Sequence, residues 1–302
     1  MPTLSVYRHG ATMGAGNPNA KPPPRTAVTG WSAHAIRRNL LFLYSVDERA
    51  LEGLQGLALT LTLRHCPQDP QDWLRARDAF LVCLRRSGVV LVHWVTEWQR
   101  RGVPHLHLAC YWTEAPDPLS ILGHWLRIAA SYGPLLSAQH SHPIYDVLGW
   151  NQYVSKHAAR GLHHYQRNPE NIPASWRGVS TGRMWGKLGD WPTVEPSKLD
   201  LDPKSYHRLR RLVRAWRLAD ARRSVRPAGG CRADAREARR LRLRKSPLLA
   251  ALRRVRSARR MLFCPDPRLS VVRGFSEWMP QQTMLVAVGW LASIEGAEVE
   301  SI

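Results

Sequence analysis

The sequence predicts an α+β fold: an antiparallel sheet with helices on one face, plus a basic helical C-terminal segment. Three observations carry this. Leucines alternate with other residues in "LALTLTLRH" at the period of a half-buried strand. Two later segments open on Asp-Pro and continue at helical spacing. Between Lys204 and Arg260, 21 Lys and Arg face only Asp220, Asp234 and Glu237, a net +18 within 57 residues.

Residues 1–30, rich in Gly, Pro and Ala without an apolar period, read as a flexible leader. Residues 31–54 read as a short helical segment. In "LALTLTLRH", Leu57, Leu59, Leu61 and Leu63 point one way and Ala58, Thr60, Thr62 and Arg64 the other. "DPQDWLRARDAFLVCLRRSG" offers Asp69 as N-cap and Pro70 at the first helical position. Asp72 in its first turn and Arg85 and Arg86 in its last complement the helix dipole, and Gly88 stops it. "VVLVHWVTEW" and "VPHLHLACYW" are two strands joined by a tight loop. "DPLSILGHWLRIAASYG" is a second helix, "LLSAQHSHPI" a fourth strand, and Tyr145 to Arg160 a third helix. The order β-α-β-β-α-β-α over residues 55–192 is the split β-α-β arrangement of ferredoxin-like and RRM-like domains. Residues 193–260 form the Arg-rich helical segment, and residues 261–302 regain apolar character without an assignable role.

A formal net charge of +21 and a pI near 10.9 favour polyanionic partners, either nucleic acid or an anionic membrane. The apolar run "MLVAVGWLAS" from Met284 is about half of the roughly 20 residues a spanning helix needs, which argues against a membrane. The N-terminus lacks a hydrophobic signal region. Five cysteines, at 66, 83, 110, 231 and 264, are odd in number and lack a C-x-x-C pair, as expected for reduced thiols in the cytoplasm. Nucleic acid is the expected partner. No G-x-x-x-x-G-K-[ST] loop is present, so the chain supplies no ATPase of its own.

"VTEWQRRGVPHLHLA" holds the most informative spacing. With Arg100-Arg101-Gly102 as a three-residue hairpin loop, Glu97 falls opposite His105 and Val95 opposite His107. Side chains alternate, so His105, His107, Glu97 and His93 share one sheet face, while Trp94, Trp98, Leu106 and Leu108 take the other. Two imidazoles and a carboxylate leave open positions on a divalent ion, as a catalytic metal requires. The same spacing also serves two ordinary half-buried strand histidines.

"GWNQYVSKHAARGLHHYQ" places Tyr153, Lys156, His157 and Arg160 along one side of a helix. A neutral phenol is a poor nucleophile. A lysine one turn away favours the phenolate and offsets charge building on a phosphate.

Together these stretches resemble the HUH endonuclease superfamily, specifically the rolling-circle replication initiators of single-stranded-DNA phages and small plasmids. "LTLTLRH", "EWQRRGVPHLHLA" and "QYVSKHAARG" carry the likeness, in that order, and "GRMWGKLGDWP" from Gly182 is similar to the end of such domains. The resemblance implies that His105 and His107 bind Mg²⁺ or Mn²⁺, with Glu97 as third ligand. It further implies that Tyr153 attacks a phosphodiester, leaving a 5′-phosphotyrosine and a free 3′-OH, while Lys156 assists by charge. The implied partners are single-stranded or unwound origin DNA, a host helicase and the replication machinery. Some phage initiators carry a second tyrosine four residues after the first. His157 stands there, so the expectation is a one-tyrosine enzyme.

Thr60, Thr62, Arg64, His157, Arg160, Arg183, Trp185, Lys187, Arg210, Arg211 and Arg214 are the expected nucleic-acid contacts. Among the tryptophans, Trp94 and Trp98 are expected in the core, and Trp185 and Trp191 are the candidates to stack on unpaired bases. A relaxase or a one-tyrosine transposase would use the same chemistry, though relaxases usually carry a third histidine where "HLHLA" stops at two. A basic nucleic-acid-binding protein with an inactive site is the alternative from another class.

Overall fold

The computed structural model describes residues 2–15, 27–151, 166–225 and 275–295. Two compact units divide the chain. The larger comprises Tyr7–His9 and Lys21–Glu195, the smaller Met1–Val6, Gly10–Ala20 and Pro196–Ile302.

The larger unit is built on a five-stranded antiparallel sheet. Its strands are β3 (Gln55–Thr62), β4 (Leu91–Trp98), β5 (Pro104–Trp112), β6 (His140–Pro143) and β7 (Trp185–Leu188), in spatial order β6-β3-β5-β4-β7. The helix α2 (Pro70–Arg86) connects β3 to β4, which flank β5 without touching each other, so the split β-α-β arrangement is present. A second helix, α3 (Pro118–Ile128), returns the chain to β6 at the far edge.

Both helices start where the sequence signals them. Asp69 accepts from Gln71 N at 2.9 Å, and Asp117 accepts from Leu119 N and Ser120 N. Their buried sides, Trp73, Ala76, Phe80 and Leu84 on α2 and Ile121, Leu122 and Trp125 on α3, recur three or four residues apart. Trp125 meets Trp73 and Phe80 edge-on, with ring centres 5.9 and 5.6 Å apart. The Arg77 guanidinium lies 4.4 Å over Trp94, which puts α2 on the sheet face that carries the leucines. In the neighbouring strand β7, Gly186 pairs with Trp94 and makes room for its ring: a Cβ there would stand 2.6 Å from the indole.

A further helix, α1 (Ala33–Ser45), is capped by Ser32 and packs on the opposite face. There Asn39 Oδ1 lies 2.8 Å from His93 Nε2, and Phe42 packs on His93, Trp185 and Trp191. The helix predicted within 31–54 is therefore present and covers one end of the histidine face.

The smaller unit departs from the expectation of a flexible leader. β1 (Pro2–Val6) and β2 (Gly10–Ala15) form a hairpin, extended by β8 (Ser197–Asp200) and β9 (Phe275–Trp278) into a sheet ordered β8-β1-β2-β9. Leu4 and Val6 pair with Met13 and Ala11, and all four are buried. They pack with Tyr206, Leu209 and Val213 of α4 (Pro203–Val225) and with Met284 and Leu291 of α5 (Gln281–Glu295). The first residues thus supply a core hairpin rather than a tail, and residues 261–302 supply a strand and a helix to the same core.

Candidate metal and nucleic-acid site

The β4–β5 hairpin sets the site. Gln99 N donates to Val103 O at 3.0 Å and Gly102 N to Gln99 O at 2.9 Å, and Gly102 takes φ 72°, a conformation that favours glycine. The resulting register pairs Glu97 with His105, Val95 with His107 and His93 with Ala109. On the other side of β5, Thr62 pairs with His105 and Thr60 with His107. One face therefore carries Glu97, His105, His107, Thr60 and Thr62 together. Edge-strand His140 pairs with Thr60 on the same face and is exposed.

His105 Nε2 and His107 Nε2 are 2.6 Å apart, with their rings edge-on at 4.1 Å between centres. His107 Nδ1 lies 3.1 Å from Thr60 Oγ1, and Gln99 Nε2 lies 3.5 Å from His105 Nδ1. Both imidazoles thus have their outer nitrogen oriented and their Nε2 turned to a common point. Glu97 Oε2 stands 3.6 Å from His107 Nε2.

Glu97 is held from behind by a residue the spacing did not reveal. Arg167 Nε donates to Glu97 Oε1 at 2.8 Å, and Arg167 Nη2 lies 2.7 Å from the same oxygen. Both side chains are out of solvent. The guanidinium is stacked 4.4 Å from the Trp31 ring, and Trp31 Nε1 donates to Thr96 O at 2.9 Å. Burial lowers the Arg167 pKa against the opposing pull of Glu97. Burial, together with the nearby Arg167 charge, holds His93 down at about 3, so its bond to Asn39 uses a neutral ring with the proton on Nε2.

The donor set has the chemistry of a divalent-ion site. Two imidazole nitrogens converge, and Glu97 Oε2 is buried without a hydrogen-bond partner. Among the described residues, no three His, Cys, Asp or Glu side chains form a ready-made cage. What stands here is a histidine pair with one carboxylate oxygen beside it.

Arg101, read as part of a turn, reaches across to the first motif. It donates to Arg64 O at 2.6 Å, to Leu63 O, and to Gln99 Oε1 at 2.7 Å. It also lies 3.4 Å from Thr62 Oγ1. Thr62 is buried and tied through its amide to Gln139 Oε1, so it shapes the site rather than presenting a surface. Arg64, Arg183 and Lys187 are exposed. Trp185 is half-buried against Phe42, and Trp191 is buried, donating to Leu188 O at 3.0 Å. Trp191 is therefore core, not a stacking platform. Arg210 also departs from expectation: it is buried at 4% exposure, whereas Arg211 is exposed. The phase of α4 turns residue 210 inward beside Leu209 and Val213. The Arg214 side chain lies outside the described residues.

Residues 147–151 are helical, with Trp150 N donating to Asp146 O, where the tyrosine helix is expected to begin. Tyr153, Lys156, His157 and Arg160 lie outside the described residues.

Three proteins align with the chain nearly end to end. A replication-associated protein of Pseudomonas phage Pf3 is 44% identical over 300 residues, covering 97% of this chain and 98% of that protein. Putative replication proteins of Xylella fastidiosa strains 9a5c and Temecula1 are 46% and 44% identical, over 301 and 287 residues. They cover 97% and 92% of this chain, and 97% and 99% of their own lengths. The chain belongs to this family of replication proteins. No protein-family model matches it, and no solved structure does. Among the described residues of this replication-family chain, no helix is long and apolar enough to cross a membrane.

Proposed function

We propose that this replication-family protein starts rolling-circle replication by nicking one strand at the origin. The observation that carries the reading is the convergence of His105 and His107 through Nε2, with the orphaned Oε2 of Glu97 beside them, on one face of the sheet. His105, His107 and Glu97 would hold Mg²⁺ or Mn²⁺, which when bound supplies Lewis-acid polarisation of the scissile phosphate.

The chain's own residues do the rest. Thr60 and Gln99 fix the imidazole orientations, and Arg167 fixes the carboxylate. Tyr153 attacks the phosphorus, so a bond forms from its phenolic oxygen and the 3′-oxygen of the preceding nucleotide leaves as a free hydroxyl. Lys156 lowers the cost of the phenolate and of charge on the phosphate. The phosphodiester is exchanged rather than hydrolysed, so the step runs in reverse without ATP and rejoins ends. The 3′-OH serves as primer for host polymerase, with unwinding supplied by a host helicase. Exposed Arg64, Arg183, Lys187 and Arg211 are suited to backbone phosphates.

The test is incubation with labelled single-stranded origin DNA and Mn²⁺, followed by denaturing electrophoresis. The expected result is a denaturant-resistant protein–DNA adduct that chelator abolishes and that Tyr153→Phe lacks. Tight binding with no adduct under any divalent ion would overturn the enzymatic reading in favour of a binding module.

A further inference from the structure

The smaller unit carries a groove that the nicking chemistry does not use. It lies between α4 and α5 and encloses about 530 Å³. Trp216 and Trp290 supply two indoles, Leu212 and Val286 the aliphatic wall, and Gln282 and Thr283 complete a lining that is almost wholly apolar. Leu212 and Trp216 rest on the buried cluster formed by Leu209, Val213 and Met284, so the groove has a packed floor. Its outer rim is open: Trp290 is 50% exposed and Val286 62%. Gly289, beside Trp290, has open space where a Cβ would stand. A helix leaving this much apolar surface in water marks a binding face.

We propose that this groove receives unpaired nucleobases of single-stranded DNA. Its volume falls in the range of small-ligand pockets, about 300–1,000 Å³, lined mostly by apolar groups with a few polar ones. Indole faces stack on any base without regard to sequence. The lining is almost wholly apolar, so the groove is suited to base faces rather than to base edges. Charge decides between possible occupants. Besides the buried Arg210, α4 carries Lys204, Arg208, Arg211, Arg214, Arg217, Arg222 and Arg223 against Asp220 alone. A second copy docked on this face would bring two such helices together, and like charges oppose that. A DNA strand brings apolar base faces for the groove and phosphates for the helix. The proposal rests on DNA being the partner, and is independent of the chemistry at Tyr153.

The full-length protein is titrated into fluorescein-labelled 20-nucleotide strands: one of normal sequence, one with abasic sites throughout its middle, and one duplex. Wild type binds the normal strand about tenfold more tightly than the abasic one. Trp290→Ala lowers affinity for the normal strand about tenfold, leaves duplex and abasic binding within about twofold, and removes the preference. Trp290→Phe keeps most of it. Equal affinity of wild type for normal and abasic strands overturns the proposal. So does a Trp290→Ala protein that binds the normal strand as wild type does but sediments as a monomer where wild type is a dimer, which would make the groove a self-association surface. Adduct formation by wild type, measured separately, tells failure here from failure of the nicking reading. Base-dependent binding without adduct sinks only the latter.

Discussion

Replacing Arg167 with Met removes the counter-charge of Glu97 and leaves the carboxylate buried. The pair has 0% and 2% side-chain exposure, so solvent screening does not soften the loss. Breaking a buried ion pair from one side costs about 3–5 kcal/mol, because the remaining charge is uncompensated. Glu97→Gln alone strands the Arg167 cation and should cost a similar amount. The double variant, Arg167→Met with Glu97→Gln, removes both charges and should return to within about 1.5 kcal/mol of wild type, since buried pairs are often neutral against apolar replacements. Urea unfolding followed by tryptophan fluorescence reads all four proteins. A divalent ion should partly replace the guanidinium, so Mn²⁺ should raise the stability of Arg167→Met more than that of wild type, by an amount that grows with the logarithm of ligand concentration over Kd. Single-variant losses below about 1 kcal/mol, or losses that simply add in the double variant, would refute the buried-pair argument.

Other outcomes follow from the same geometry. His105→Ala and His107→Ala should abolish metal-dependent adduct formation while lowering stability by no more than about 3 kcal/mol, because each removes a single buried imidazole from the central strand. Arg8 and His9 hold Glu48 at 2.6–2.7 Å, and the Arg8 bond keeps its carboxyl down at about 2. Because the folded pKa is depressed, that stability is present above the ordinary carboxylate range and fades as pH falls toward 2. Glu48→Gln should therefore destabilise at pH 7, on the order of 2 kcal/mol, and match wild type near pH 2. His93 is likewise depressed, to about 3, so stability should fall from about pH 6.5 downward as the unfolded chain takes up a proton, and His93→Gln should flatten that slope. Arg211→Gln should reduce the salt dependence of DNA binding, and Arg210→Gln should instead act on stability, as their exposures differ.

The β4–β5 hairpin was legible because two local rules agree: a glycine at the left-handed turn position fixes the loop, and strand parity then puts Glu97, His105 and His107 on one face. α2 and α3 were legible from Asp69-Pro70 and Asp117-Pro118. Arg167 was not, because its partner Glu97 is 70 residues away and no spacing rule links them. The first hairpin was hidden for two reasons. Its second strand is mostly Gly, Ala and Thr, which carry little apolar signal, and its sheet partners come from Ser197–Asp200 and Phe275–Trp278. The Arg-rich composition concealed the phase of α4, where Tyr206, Leu209 and Val213 define a buried side that takes Arg210 with them.

Mapping the attachment point tests the central claim most directly. The adduct formed on single-stranded origin DNA with Mn²⁺ is digested with nuclease and protease, and the nucleotide-bearing peptide is sequenced by mass spectrometry. The account predicts a nucleotide linked through its 5′-phosphate to the side chain of Tyr153. Cleaved DNA bearing a free 5′-phosphate with no protein attached, or a nucleotide on any other residue, would contradict it.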